Sequence, residues 1–147
     1  MKSILLDSAY NKETGVSFVK VRNKYGEFGA TARLHPEDKD FESTFFGCQL
    51  AEAKCTIKTY QTRVNKINEH IKALENFEKT LKNLKDYNPH SIECCKLRKQ
   101  IYLLKKEKCN LLQSIQNIKQ NMINSEQNRK ATLEYFLKLK NELVNED

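Results

Sequence analysis

From Cys48 to Asp147, 100 consecutive residues, the chain contains no glycine, and its two prolines stand at Pro36 and Pro89. Glycine is the default residue wherever a turn or bulge needs a positive φ. A stretch this long without it is confined to extended helices joined by very few turns. Gly15, Gly26, Gly29 and Gly47 leave all turn-rich structure to the first third. Sandwiches, barrels and doubly wound α/β folds need turn chemistry throughout and are excluded. Hydrophobic residues make up 39% and charged ones 31% of the 147 residues. That is too apolar for a disordered chain, and the length suits a small head carried on a helical arm.

The first third reads as β-structure. Asn11-Lys12-Glu13-Thr14-Gly15 has turn composition, and Val16, Phe18, Val19 and Val21 form a run rich in β-branched residues. Asn23-Lys24-Tyr25-Gly26 can supply the positive-φ position of a tight hairpin. The next strand alternates, with Phe28, Ala30, Ala32 and Leu34 on one face and Glu27, Gly29, Thr31 and Arg33 on the other. Residues 16–34 therefore predict a β-hairpin, and residues 3–9 are a candidate third strand. A two-stranded ribbon is marginal alone and needs a helical cover. His35-Pro36-Glu37-Asp38 ends the sheet, because Pro36 cannot donate to a ladder.

Beyond it, Leu50, Ala53, Ile57, Tyr60, Val64, Ile67, Ile71 and Leu74 recur at separations alternating between three and four, a heptad seam. Phe77, Leu81 and Leu84 continue it after a second consecutive step of three, which overwinds a pair locally. Asp86-Tyr87-Asn88-Pro89-His90 breaks the pattern, and Ser91 suits the N-cap of a second helix. Leu97, Ile101, Leu104, Leu111, Ile115, Ile118 and Met122 resume the seam, residues 125–130 are polar, and a wider apolar stripe runs from Leu133 to Val144. A short loop between long helices predicts an antiparallel hairpin. If Leu84 faces Ile92, Phe41 stands opposite Tyr135. The stripe then caps the sheet together with Phe41, Phe45 and Phe46. The expected fold is α+β, mostly α: an N-terminal β-hairpin followed by a long antiparallel two-helix coiled coil. The head with its junction spans residues 1–43 and the helical hairpin 44–147, with helices at about 44–85 and 91–145 and the turn at 86–90.

No run approaches the roughly 18 apolar residues of a membrane span, and Asp7 interrupts the start of the chain where a secretory signal would continue its apolar core. A cytoplasmic location is expected. Five cysteines, an odd count with no Cys-x-x-Cys pair, do not form a secreted disulfide framework. His90, Cys94, Cys95 and Cys109 lie near the turn, but adjacent cysteines on a helix point about 100° apart and zinc ligands are usually spaced by two to four residues. Free thiols, no metal and no cofactor are expected. Cysteine–histidine catalysis needs a buried orienting network, for which a two-helix arm has no room. His35 reads as a sheet-to-helix junction residue, His70 lies beside Ile71 on a charged face, and no phosphate loop, Ser-x-x-Lys or paired-carboxylate motif occurs. The expectation is that the chain is not an enzyme.

The formal charge is +7. Residues 1–47 hold seven basic and seven acidic side chains, so the excess belongs to the helices. It gathers near the turn, where Lys79, Lys82, Lys85, Lys96, Arg98, Lys99, Lys105, Lys106 and Lys108 face Asp86, Glu93 and Glu107. Such a patch attracts phosphate backbones or an acidic protein face. The competing reading is an ordinary solvated helix surface. Lysine outnumbers arginine, which disfavours base-specific readout. Tyr25, at the hairpin apex beside Lys24, is the candidate exposed aromatic anchor. The candidate partner contacts are Tyr25, Lys24, Lys96, Arg98, Lys99, Lys105, Lys106 and Lys108.

Lys24-Tyr25-Gly26-Glu27-Phe28-Gly29-Ala30-Thr31-Ala32, then His35-Pro36-Glu37-Asp38, Gly47-Cys48 and Ala51-Glu52-Ala53-Lys54, resemble small phage and mobile-element proteins of low-GC Gram-positive bacteria over about residues 15–60. The resemblance implies a β-hairpin joined to a helical hairpin, and an inhibitor of host defence such as an anti-CRISPR protein. It transfers no site residues. The resulting expectation is a non-enzymatic, phage-encoded inhibitor. It would occupy a surface of a host protein or nucleoprotein in the bacterial cytoplasm through its head and basic arm. The alternatives are a basic coiled coil that binds nucleic acid by itself and an oligomeric phage scaffold. Monomer and homodimer both remain open.

Overall fold

In a computed structural model that describes residues 2–33 and 44–145, the chain forms three strands and two helices. They are β1 (Ile4–Asn11), β2 (Val16–Asn23), β3 (Gly26–Arg33), α1 (Thr44–Lys82) and α2 (Ile92–Asn145). The fold is α+β and mostly helical: a three-stranded antiparallel sheet, then a helical hairpin. The candidate third strand is formed, and the sheet order is β1-β2-β3. Expectations for Leu34, the His35–Asp38 junction, Phe41 and the side chains of Phe45 and Phe46 lie outside the described residues.

Both turns follow from local side-chain chemistry. Asn11 Oδ1 accepts from the backbone N–H groups of Glu13 (2.9 Å) and Thr14 (3.4 Å), and Gly15 takes φ 68° to close the loop onto Asn11 O. Asn23 Oδ1 accepts from Tyr25 N at 2.9 Å, and Gly26, paired with Asn23, has φ 129°. In the β1–β2 ladder the register shifts between Leu5 and Asp7, so Leu6 is a bulge.

The chain divides into two compact units, one of residues 1–57 with 116–147 and one of residues 58–115. In the first, the sheet presents a face of small residues. Ser17, Val19 and Val21 from β2 and Ala30 and Ala32 from β3 are buried, with Ala51 and Cys55 of α1 completing the core. Gly47, Ala51 and Cys55 recur every four residues, which places them on one side of α1. The approach is close. A Cβ added to Gly47 would overlap the Ser17 hydroxyl and sit 3.0 Å from Ser17 Cβ. The Cys55 sulphur lies 3.6 Å from both Val19 O and Phe28 O, so its thiol proton has two acceptors. Lys54 Nζ donates to Thr31 O at 2.8 Å.

This arrangement corrects the expected role of the stripe at 133–144. Tyr135, Phe136, Leu137, Leu143 and Val144 are all exposed. The small-residue side of α1 covers β2 and β3 at short range, and the sheet's buried residues are gathered with α1 instead. In the same unit, Gln49, Leu50 and Ala53 of α1 and Ile118, Asn121, Met122 and Ser125 of α2 line an open groove of about 240 Å³. That groove brings Ser125 near residues 49–50, as the expected register does.

In the second unit the seam is real. Ile67, Ile71, Leu97 and Ile101 are buried together, with Leu74, Leu81, Leu104 and Leu111 packed against them. Arg63 donates to both carboxylate oxygens of Glu107 (3.0 and 3.1 Å), and Glu75 pairs with Lys105 at 3.2 Å. The seam steps from Leu74 to Leu81 and bypasses Phe77, which is 54% exposed. Two successive steps of three rotate Phe77 off the shared face. The expected Leu84–Ile92 contact is also corrected, since both residues are exposed. α1 ends at Lys82 rather than 85. Asn83 N and Leu84 N donate three residues back, to Thr80 O and Leu81 O, tightening the chain out of the α-helix. Ser91 caps α2 as expected, its hydroxyl accepting from Cys94 N at 3.2 Å.

Gly47→Ala is expected to destabilise the protein by about 1–3 kcal/mol, the usual cost of overpacking. Adding Ser17→Gly should return part of that loss, as read from urea midpoints. Equal stability of Gly47→Ala and the parent would rule out the close helix–sheet approach.

Candidate functional site

The basic residues near the hairpin turn belong to the second unit, and the structure sorts them into occupied and free. Lys82 pairs with Glu78 at 3.5 Å, one helical turn away, and Lys105 pairs with Glu75 on the other helix. Arg98 is taken up by the turn itself. Its guanidinium donates to Pro89 O and reaches the Cys95 sulphur at 3.5 Å. The contact with Cys95 raises Arg98 further above its already high ordinary pKa, so it is a permanent cation. Arg98, one of the candidate partner contacts, thus ties the loop to the first turns of α2. Lys96, Lys99 and Lys106 are exposed, Lys108 is half-buried, and none of the four forms an ion pair among the described residues.

Three of the nearby carboxylates, those of Glu75, Glu78 and Glu107, are engaged, whereas Asp86 and Glu93 form no ion pair among the described residues. Between Cys94 and Leu112 the one acidic residue is Glu107, and Arg63 of α1 holds it in a bidentate pair. Lys96, Lys99 and Lys106 therefore make no ion pair with their own helix, although Glu93 stands three residues before Lys96. Two exposed apolar side chains stand among them, Tyr102 (63%) and Leu103 (50%). A reading based on the seam and on charge counts passes over Tyr102. The available signal was its position off the heptad, three residues after Lys99 and four before Lys106.

Tyr25 and Lys24, in the first unit, do not present the expected exposed anchor. Tyr25 is half-buried, and Lys24 Nζ lies 5.1 Å from its ring centroid. This cation–π contact covers part of the aromatic face. On the solvent face of the same hairpin, Glu27 accepts from Arg22 (3.1 and 2.7 Å) and pairs with Lys20 at 3.3 Å. The hydrogen bonds from Arg22 and then Lys20 hold the Glu27 carboxyl below its ordinary pKa.

All five cysteines are free thiols: Cys55 is buried, Cys48 and Cys94 are half-buried, and Cys95 and Cys109 are exposed. Among the described residues, no three His, Cys, Asp or Glu side chains are grouped to hold a metal ion. Among them, too, no helix is long and apolar enough to cross a membrane. No family model, curated protein or solved structure matches the chain.

Two outcomes follow. Arg98→Ala should lower the thermal midpoint, whereas Lys96→Ala and Lys99→Ala should change stability by no more than about 0.5 kcal/mol. Glu27 is held ionised by the fold, so its contribution is complete above the ordinary carboxylate pKa. That contribution is lost as pH falls through the depressed value. A carboxylate NMR titration should show Glu27 titrating below its ordinary value, and Arg22→Ala should move it back up.

Proposed function

We propose that this chain is a non-enzymatic binding protein whose basic hairpin end occupies an anionic surface of a host nucleoprotein. Inhibitors of bacterial defence of the kind it resembles would act in this way. The observation that carries the reading is the set of lysines around the turn, Lys96, Lys99, Lys106 and Lys108, that make no ion pair while the neighbouring Glu75, Glu78 and Glu107 are already bound. An ordinary solvated helix surface intersperses charges of both signs. Here, three carboxylates are held within the hairpin, and the lysines left unpaired outnumber the unpaired acids Asp86 and Glu93 beside them. Clustered lysine charge gives affinity through counterion release, with little base specificity.

The non-enzymatic part rests on the sequence, in which no phosphate loop, Ser-x-x-Lys or paired-carboxylate motif occurs and a two-helix arm leaves no room for a buried catalytic network. The phage origin and the defence target rest on the resemblance of residues 15–60. A basic coiled coil acting on nucleic acid alone is the second reading, favoured by the same lysines.

Retention on heparin at rising salt tests the charge argument. The parent chain should bind at low salt and lose affinity steeply between about 50 and 200 mM. The variant with Lys96, Lys99 and Lys106 all changed to Gln should show a salt slope smaller by about one per lysine. No retention at low salt overturns the reading. Capture of a partner from host lysate that survives nuclease supports the nucleoprotein target; loss of all partners on digestion supports the second reading.

A further inference from the structure

We infer that the solvent-facing side of α2 around Tyr102 is a contact surface for single-stranded nucleic acid, with Tyr102 stacking on a base between two phosphates held by Lys99 and Lys106. This inference rests on the anionic-partner reading above and deepens it by naming the chemistry of the partner.

Lys99, Tyr102, Leu103 and Lys106 fall at positions i, i+3, i+4 and i+7, which lie on one side of a helix. That side points away from the seam residues Leu97, Ile101 and Leu104, which are buried or partly buried. Lys99 and Lys106 are separated by about 10 Å along the axis. Tyr102 and Leu103 expose 63% and 50% of their surface between them. A tyrosine this exposed contributes little to the hydrophobic core, since its ring remains in water. Its flanking cations form no ion pair among the described residues. Glu107, beside Lys106, is held by Arg63, Glu75 is held by Lys105, and Glu93 lies six residues before Lys99.

Charge alone would suit any polyanion. An exposed aromatic ring among unpaired lysines adds a second complementarity, because a nucleic acid offers a flat π-face beside every negative charge of its backbone. In a duplex those faces are stacked inside; in a single strand they are available. The excess of lysine over arginine accords with binding that tracks a backbone without reading sequence. An acidic protein surface would satisfy the lysines and leave Tyr102 without a role.

The test uses the whole chain with four probes matched in charge: oligodeoxythymidylate, a duplex with half as many base pairs, inorganic polyphosphate and polyglutamate. The oligodeoxythymidylate should bind most tightly. Tyr102→Ala should weaken it roughly 5- to 150-fold, the range for loss of one base stack. Tyr102→Phe should bind like the parent, and polyphosphate binding should not change with any substitution at 102. Lys99→Gln with Lys106→Gln should lower the salt slope by about 0.7 per lysine for the single strand. Unchanged helical circular dichroism confirms that the variants fold. If Tyr102→Ala binds oligodeoxythymidylate as the parent does, or duplex or polyglutamate binds as tightly, this inference is overturned while the anionic-partner reading stands. If no probe binds at low salt, both fall.

Discussion

The first unit depends on how closely α1 can lie on the sheet. Three strands with small inward residues offer little apolar area, and an isolated ribbon of this size is marginal in water. Larger side chains on the helix would hold it away and leave Val19, Ala30 and Ala32 partly wet. Gly47, Ala51 and Cys55 remove that spacing, so a small face is sealed by another small face. A glycine inside a helix is unfavourable by roughly 1 kcal/mol against alanine. It is used at 47 because the backbone itself is the packing surface against Ser17. The Cys55 thiol fits the same logic, a small side chain with a weak donor, set beside two backbone carbonyl oxygens.

The second unit obeys a different constraint. A pair of helices has one seam, and here it is built from Ile67, Ile71, Leu97 and Ile101 with four flanking leucines. Most of each helix circumference must then face water, and what occupies it decides solubility and contacts. The hairpin uses its carboxylates to join or brace the two helices, through Arg63–Glu107, Glu75–Lys105 and Glu78–Lys82. Surface pairs of this sort contribute little stability each. Their larger effect is on the balance of what remains, which is positive and interrupted by an aromatic ring.

Much of the architecture was legible from residue spacing. The absence of glycine after Gly47 announced two helices, and the alternation over Phe28, Ala30 and Ala32 identified the buried face of β3. The seam from Val64 to Leu74 and from Leu97 to Ile118 followed the heptad. Where spacing misled, the cause was three-dimensional. Phe77 satisfied the pattern locally yet rotated off the seam, because two steps of three accumulate phase. The apolar residues at 133–144 were assigned to the sheet because hydrophobicity in sequence does not say which surface it meets. At the candidate interface, charge counts found the lysines but could not separate Arg98, bound to the turn, from Lys99, which is free. Tyr25 was drawn as an exposed anchor by its place at the hairpin apex, where an adjacent lysine covers it.

The bulge at Leu6 bears on how these molecules behave when crowded. β1 lies at the margin of the sheet, with Ile4, Leu5 and Leu6 exposed, and a regular margin of that composition invites further chains to add and grow into fibrils. The extra residue throws the ladder out of step midway, and Asp7 follows it immediately with a charge. An incoming strand would meet a broken template, which disfavours regular addition along this edge.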